Sequence, residues 1–397
     1  MNRYIRFFSS LRLLLSLSFT IILLAGGTVN AQCPGVTPVT ADLRLPLGIT
    51  QSNQDNLLVS ETGFGAPGTG RISIVDPGGT RRTLLDGIPS GINDVGEPSG
   101  PAGLFISGRT LYVAIGVGDV GVAGPVPGTT VPNPSGPSSP LFSSVLAIHF
   151  SAQVEKTTTG FTLTADDEQA LASGQKVTLS NGGGKITIEL VVNFPNFIPN
   201  PLPFPGGESN IRLSNPYDLV AVGDQLYVTD GGRNLVWQVD IDSGALSLLA
   251  AFPPIPNPLP FGPPVIDAVP TGIAYSDGQL LVTLFRGFPF LVGSSVVEQV
   301  DPVTGAHMEF ITGLSSAIDV LSFRSKGDTD HLVLQFSADM LAGAPGGLLR
   351  FETPTSAPSV IADCLITPTS MTLDEKTDTV YITELETGRV VSIHIAP

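Results

Sequence analysis

Three acidic residues close the same recurring phrase at widely separated points: Glu61 ends LLVSE, Asp230 ends LYVTD and Glu384 ends VYITE. Carboxylates drawn from several repeats toward one point would suit calcium, which takes six to eight oxygen ligands. The equivalent residues in the other repeats read as Ile115, Leu284 and Phe336, none of which can ligate. The expectation is therefore that the carboxylates hydrogen-bond neighbouring turns, with a calcium site as the alternative. Asp240 and Asp242 suggest a calcium loop, but its remaining ligands are missing. Because Val-Asp followed by a Gly-containing turn recurs at Asp76, Asp240 and Asp301, a plain turn is expected there.

A second group of residues points to binding. Ile198 to Phe204 and Ile255 to Phe261 both read I-P-N-P-L-P-F. Proline fixes φ and favours a stiff extended arm that loses little entropy on binding. With Phe288 and Phe290, Phe204 and Phe261 would form an apolar rim. The same composition equally serves a core plug in which the phenylalanines fold inward. Two glycine sets, Gly63, Gly65, Gly68 and Gly116, Gly118, Gly121, match a dinucleotide fingerprint. Neither opens a helix, whose N-terminus would hold the pyrophosphate, so both read as turn glycines. The histidines have no metal-ligand spacing. His149 and His394 align with Val75, Val239, Val300 and Phe351, a column expected to pack between repeats. The chain has no G-x-S-x-G elbow and no CxxC pair.

The phrase carrying the acids returns six times, starting at Leu57, Leu111, Leu226, Leu280, Leu332 and Val380, at intervals of 54, 115, 54, 52 and 48 residues. Its alternation of Leu, Val and Tyr with small residues suits a buried strand. A period near fifty predicts a six-bladed, all-β propeller with four strands per blade. The third repeat reads most clearly, with strands over Tyr217 to Val222, Gln225 to Asp230, Leu235 to Asp240 and Ala245 to Phe252. A long insertion in the second blade, about 117–194, accounts for the wide interval. Gly116 to Pro140 reads as a surface loop. Around Ala165 to Gly174 a short helix is expected, with an extra blade, seven in all, as the alternative. The last repeat lacks an outer strand, which Val36 to Leu45 is placed to supply, so both termini should meet in one blade and remove an exposed edge.

Arg3, Arg6 and Arg12, an apolar stretch from Leu13 to Ala25 and Val29-Asn30-Ala31 have the order of a secretory signal. The stretch is shorter than the roughly 20 residues of a membrane span, so cleavage after Ala31 is expected rather than an uncleaved anchor. Gln32 before Cys33 argues against lipid attachment. The mature chain, 32–397, would be one domain in the periplasm or outside the cell. Loss of three arginines leaves 16 basic against 35 acidic residues, a net charge of −19. Such a surface disfavours nucleic acid and anionic lipid, and Gly (45) and Pro (35) favour short strands and turns over helices.

Ser214-Asn215-Pro216-Tyr217, Leu226 to Asn234, Pro270-Thr271-Gly272-Ile273 and Arg286-Gly287-Phe288-Pro289-Phe290 together resemble the secreted propellers of the ScyD/ScyE type, associated with scytonemin biosynthesis, with wider relatives among NHL-type repeats. The resemblance spans most of 40–397 and implies an exported six-bladed propeller without an assigned reaction. On it we expect a monomeric binding or accessory module for a small hydrophobic molecule or a protein partner, with Phe204, Phe261, Arg233, Asn234, Arg286, Phe288 and Phe290 as contacts, no catalytic residue and no cofactor. The alternatives are a calcium-dependent hydrolase of the gluconolactonase–regucalcin type, using Glu61, Asp230 and Glu384, and a structural cell-surface module with a filled channel.

Cys33 and Cys364 are the only cysteines. In an exported protein two free thiols would be unusual. Cys33 precedes the strand assigned to the outside of the closing blade and Cys364 ends the outer strand of the blade before it. A disulfide across the closure is the expectation; the alternative leaves Cys364 as a small buried residue.

Overall fold

The computed structural model describes residues 33–395; the segment expected to be a secretory signal lies outside them. Six sheets follow one another along the chain; in each the first four strands are antiparallel and run from the channel outward in sequence order, except that the outermost strand of the sixth comes from the N-terminal end. The first blade comprises Pro46–Gln51, Leu57–Glu61, Gly70–Val75 and Arg81–Ile88, and the third comprises Pro216–Val222, Gln225–Asp230, Leu235–Asp240 and Leu246–Ala251. The fourth and fifth begin at Pro270 and Ala317 and show the same plain meander. Every phrase lies on the second strand, buried along nearly its whole length because blades stack on both of its faces. That double burial is why the phrase is apolar throughout.

Closure follows the expected route. Val36–Thr40 pairs antiparallel with Arg389–His394 and becomes the outer strand of the sixth blade. Cys33 and Cys364 form a disulfide with a Cα–Cα distance of 5.6 Å, tying the N-terminal strand to the outer strand Ser359–Leu365 of the fifth blade.

The register corrects two alignments. The inner strand opens opposite Glu61, Ile115, Asp230, Leu284, Gln335 and Glu384. Gln335, not Phe336, is thus the fifth member of the acidic column; polar His331 replaces its leading apolar residue and hides the true start. Likewise Leu111 pairs with Ile148 and Val380 with Ile393. His149 and His394 therefore fall one residue beyond the buried column. A slip of one flips a side chain to the other face, and both rings are at least partly exposed.

The second-blade insertion makes no seventh blade. Its first part forms a short hairpin, Gly121–Ala123 with Thr130–Pro132. Its second part carries two helices, Ala152–Thr157 and Ala165–Ala172, the latter started by a reciprocal Thr164–Asp167 capping box. Phe161–Thr162 joins the outer strand of the first blade in parallel, and Val177–Ser180 adds a fifth strand to the second. Buried Glu155 accepts hydrogen bonds from Ser52 Oγ, Asn56 Nδ2 and Arg109 Nη1, so the insertion clamps the first two blades together.

The Val-Asp turns have a packing purpose. Asp76, Asp240 and Asp301 each accept backbone amides two to four residues ahead. Each turn then presents a positive-φ glycine, Gly79, Gly244 or Gly305, to the carbonyl of the preceding blade's outer strand at Val39, Val191 or Leu249, where a Cβ would collide. The first of these turns presses on the N-terminal strand itself.

Because the disulfide closes a separation of 331 residues, loop-entropy reasoning assigns it a stabilisation of about 5 kcal/mol. Cys364→Ser, or reduction of the native protein, is expected to lower the melting temperature by many degrees; an unchanged melt would show that the clasp is not needed for closure.

Candidate functional site

All connections from an outer strand to the next inner strand, and all turns between second and third strands, lie on one face, called here the entry face. The polar column at the ends of the second strands lies at this face, but its members do not converge. Glu61 accepts from the Arg44 amide, from Arg71 Nε at 2.8 Å, and from Arg71 Nη2 and Ser73 Oγ. Asp230 accepts from the amides of Asn215 and Arg233, from Ser214 Oγ and from Trp237 Nε1; burial raises its pKa and those bonds oppose the rise. Glu384 accepts from the Ile366 amide, Thr387 Oγ1 and Arg389 Nε, and Gln335 from the Ser315 amide. In all four blades the side chain grips the backbone one or two residues before the inner strand begins. Among the described residues no three His, Cys, Asp or Glu side chains form a group able to hold a metal ion. The calcium arrangement of Glu61, Asp230 and Glu384 is thus replaced by a latch within each blade, since every one of these carboxylates already has several donors.

A second tie was not foreseen. The residue before the latch is a hydroxyl in four blades, and it donates to the second residue of the next inner strand: Ser60 to the Ala102 carbonyl, Thr229 to Thr271 at 2.5 Å, Thr283 to Ile318 at 3.2 Å and Thr383 to Leu47 at 3.4 Å. The sequence signal was present as the Ser or Thr in the phrase.

The inner strands approach closely around the channel. Their third residues are Gly48, Gly103, Asp218, Gly272, Asp319 and Ser370. A Cβ on Gly103 would stand 2.5 Å from Asp218 Cα, and one on Gly272 would stand 2.6 Å from Asp319 Cα. Asp218 accepts the Ile273 amide at 3.0 Å; Asp319 accepts the Met371 amide at 2.8 Å and Ser370 Oγ at 3.2 Å. Both carboxyls therefore reach forward to the following blade. Burial, and for Asp218 also the charge of Asp319, pushes Asp218 well above the carboxylate range and Asp319 up to about 7. Tyr217 lies beside them and reaches the Thr369 carbonyl on the opposite blade at 3.4 Å, so its ring blocks the channel. Its phenol is raised by burial and by the two acids.

Above this plug, on the entry face, opens a cavity of about 540 Å³. Tyr217, Thr271, Ile318 and Phe285 form its floor and lower wall. Asn93, Asp94 and Glu97 from the connection between the first two blades, with Asn200, Asn210, Arg212 and Asp267 from the two proline-rich arms, form its upper wall. The arms are hairpins, Phe197–Pro199 with Ile211–Leu213 and Ile255–Pro256 with Val265–Ile266. Arg212 of the first bonds Asp267 of the second at 2.7 Å, which places them side by side.

The aromatic residues are arranged differently from the expected rim. Phe204 and Phe261 are each about two-fifths exposed, and neither lines the cavity. The proline-rich tips fold on themselves, with Asn257 Nδ2 bonding the carbonyls of Phe261 and Pro263, and so hold their rings outward. Phe261 instead begins a run of neighbouring rings through Phe288, Phe290 and Phe285 to Phe336, with centroids 5.9 to 6.3 Å apart. Only Phe285 of this run reaches the cavity wall. Asn234 binds Asp267 and the Val269 amide, Arg233 stacks on Trp237 at 5.7 Å, and buried Arg286 donates to the Ser294 carbonyl at 3.2 Å, its pKa lowered by burial. These three residues support the walls and do not line them.

No protein-family model and no curated protein matches the sequence. Among solved structures the chain is similar to the PQQ-bound aldose sugar dehydrogenase of Streptomyces coelicolor, with 14% identity, a TM-score of 0.50, and coverage of 91% of this chain and 99% of that one. It is also similar to a gluconolactonase of Xanthomonas campestris, with 12% identity, a TM-score of 0.49 and 93% coverage of both chains. At such identities the likeness is one of fold. Among the described residues no helix is long and apolar enough to cross a membrane.

Two measurements check this geometry. Glu61→Ala leaves Arg71, only 5% exposed, without its counter-charge, and is expected to cost about 3–5 kcal/mol in urea unfolding at pH 7; a loss below 1 kcal/mol would refute the latch. The acid pair has the opposite sign. With Asp319 at about 7 in the folded state and 3.8 as its ordinary value, the native protein holds a proton that the unfolded chain has released between those values. Stability contributed by that proton is full below about 4 and is lost as pH rises through 7. Asp319→Asn should flatten this decline, and a variant that keeps the wild-type slope would show that the pair does not titrate there.

Proposed function

We propose that this protein is an exported binding module, of the kind represented by the ScyD/ScyE propellers, that takes a small molecule with an apolar body at the entry-face cavity. The observation that carries the reading is an asymmetry of exposed apolar surface. Of sixteen large exposed hydrophobic residues among the described residues, eleven lie on entry-face connections, among them Phe64, Val95, Phe204, Phe261 and Leu341. Scattered apolar residues are ordinary on a protein surface, but their concentration on one face marks an interaction surface, and of the eleven Val95 also lines the cavity that opens on this face. The cavity volume falls within the range of small-molecule sites, roughly 300–1,000 Å³. Its floor offers two aromatic residues, Tyr217 and Phe285, and its upper wall offers amides and carboxylates, a combination that accepts a flat ring bearing polar groups. The plug at Tyr217 makes the site blind, so a ligand enters and leaves by the same mouth. The acidic surface makes nucleic acid an unsuitable occupant. Export and action as a monomer belong to the same reading.

The test is titration calorimetry of the purified protein with a neutral phenol such as tyrosol, repeated with Phe285→Ala. One site per chain is expected, weakened about tenfold in the variant by loss of a ring contact. Absence of binding by a folded protein would favour the structural-module alternative. Strong stabilisation by calcium, reversed by chelator, would favour the hydrolase alternative.

A further inference from the structure

We propose that the entry face carries a second ligand site, for a small carboxylate, formed by the buried guanidinium of Arg286 behind the cavity wall. The inference does not depend on what occupies the cavity. Two arginines among the described residues are only 5% exposed, Arg71 and Arg286. Arg71 gives its Nε and Nη2 to the Glu61 carboxylate. Arg286 has no ion pair: its Nε donates to the Ser294 carbonyl at 3.2 Å, and its Nη1 is shut off from solvent without a hydrogen-bond partner. A buried charge without a partner is costly, and folded proteins rarely keep one without an opposite charge against it. Burial lowers the Arg286 pKa, and the charges of Glu298 and Glu309 oppose this from a distance. Neither acid bonds Arg286, and Glu298 is engaged by His307 at 3.2 Å.

The first blade shows what the fourth lacks. Thr69 and Ser294 are equivalent, each being the residue before a third strand. The guanidinium that bonds the Thr69 carbonyl is Arg44, at 3.4 Å, and it pairs with Asp86 at 3.0 Å. Ile72 stands opposite Leu85 and Val297 opposite Ile311, so the fourth blade has Thr312 in the place of Asp86. It also has Leu284 in the place of Glu61. Both carboxylates of the first blade are therefore missing where a guanidinium is more deeply buried. The Phe285, Arg286 and Gly287 amides donate to the carbonyls of Val269, Ala268 and Asp267, which fixes the backbone that carries the group. With Nε committed to Ser294, the end of the guanidinium fork is the part left to bind, and its planar pair of donors matches a carboxylate. The segment over it, 286–294, is a loop and not a strand, so a small anion reaches the group by local opening. Bound there, a carboxylate ties this loop down directly behind Phe285, the one ring of the aromatic run that reaches the cavity wall.

The test is titration of the native protein with sodium formate at pH 7, with ionic strength held constant by sodium methanesulfonate, whose anion lacks the planar fork. Melting temperature and the line width of carbon-13 formate are followed together. A saturable rise of a few degrees is expected, because a ligand that binds only the folded state stabilises it by mass action, and the formate line should broaden over the same range. Arg286→Met, which has no charge to neutralise, is expected to lose both responses. Arg286→Lys keeps the charge without the fork and should respond only at about tenfold higher formate. The proposal is overturned if the native protein shows no saturable response, or if Arg286→Met broadens the formate line as the native protein does. Should Arg286→Met fail to fold, the lysine variant decides: formate affinity equal to that of the native protein would show that the guanidinium does not hold the anion.

Discussion

The hydrogen bond from the end of each second strand to the backbone entering the inner strand is the contact on which the entry face depends. Loops joining an outer strand to the next blade must travel from the rim to the channel, and nothing in a stacked sheet holds them there. A buried side chain with several acceptor sites solves this by taking the amide of the incoming segment, and a carboxylate does so more strongly than a neutral group. Glu61, Asp230, Gln335 and Glu384 perform this task. A backbone bond at the same place is common to all six blades, and where Ile115 and Leu284 stand it serves without the side-chain latch, from Gly116 to the Gly100 carbonyl and from Phe285 to the Val269 carbonyl. The cavity wall is built from these same connections, so the latch fixes the cavity as well as the blade.

A second set of contacts runs around the ring. The hydroxyl ties at Ser60, Thr229, Thr283 and Thr383 join the second strand of one blade to the inner strand of the next, while the glycine turns after Val75, Val239 and Val300 press on the outer strand of the blade before. One set works at the channel and the other at the rim. Between them the ring is held at both radii, and the disulfide adds a covalent tie where the N-terminal strand completes the circle.

The blades were legible because a strand buried on both faces must repeat its apolar pattern wherever it occurs, and the closure was legible because an open ring leaves an unpaired edge. The fifth repeat was misread by one residue since His331 occupies a position that the other repeats give to Leu or Val. The latch could be anticipated as hydrogen bonding by Glu61, Asp230 and Glu384, but its partners lie in connections of no fixed length. The axial pair escaped notice for a different reason: a lone Asp in Tyr217-Asp218-Leu219 or Ile318-Asp319-Val320 resembles any strand polar residue, and only the ring places the two together. The arms were recognised by their repetition, whereas the outward set of Phe204 and Phe261 depends on side-chain packing within the tips.

The fit of Asp218 beside Gly103 and of Asp319 beside Gly272 bears on how such a ring can be inherited. An inner strand with a carboxyl at this position has room only downstream of one that has no side chain there. The second and third blades, and likewise the fourth and fifth, therefore form matched couples. Copying the third blade alone would set one carboxyl against the backbone of another, with no glycine to receive it.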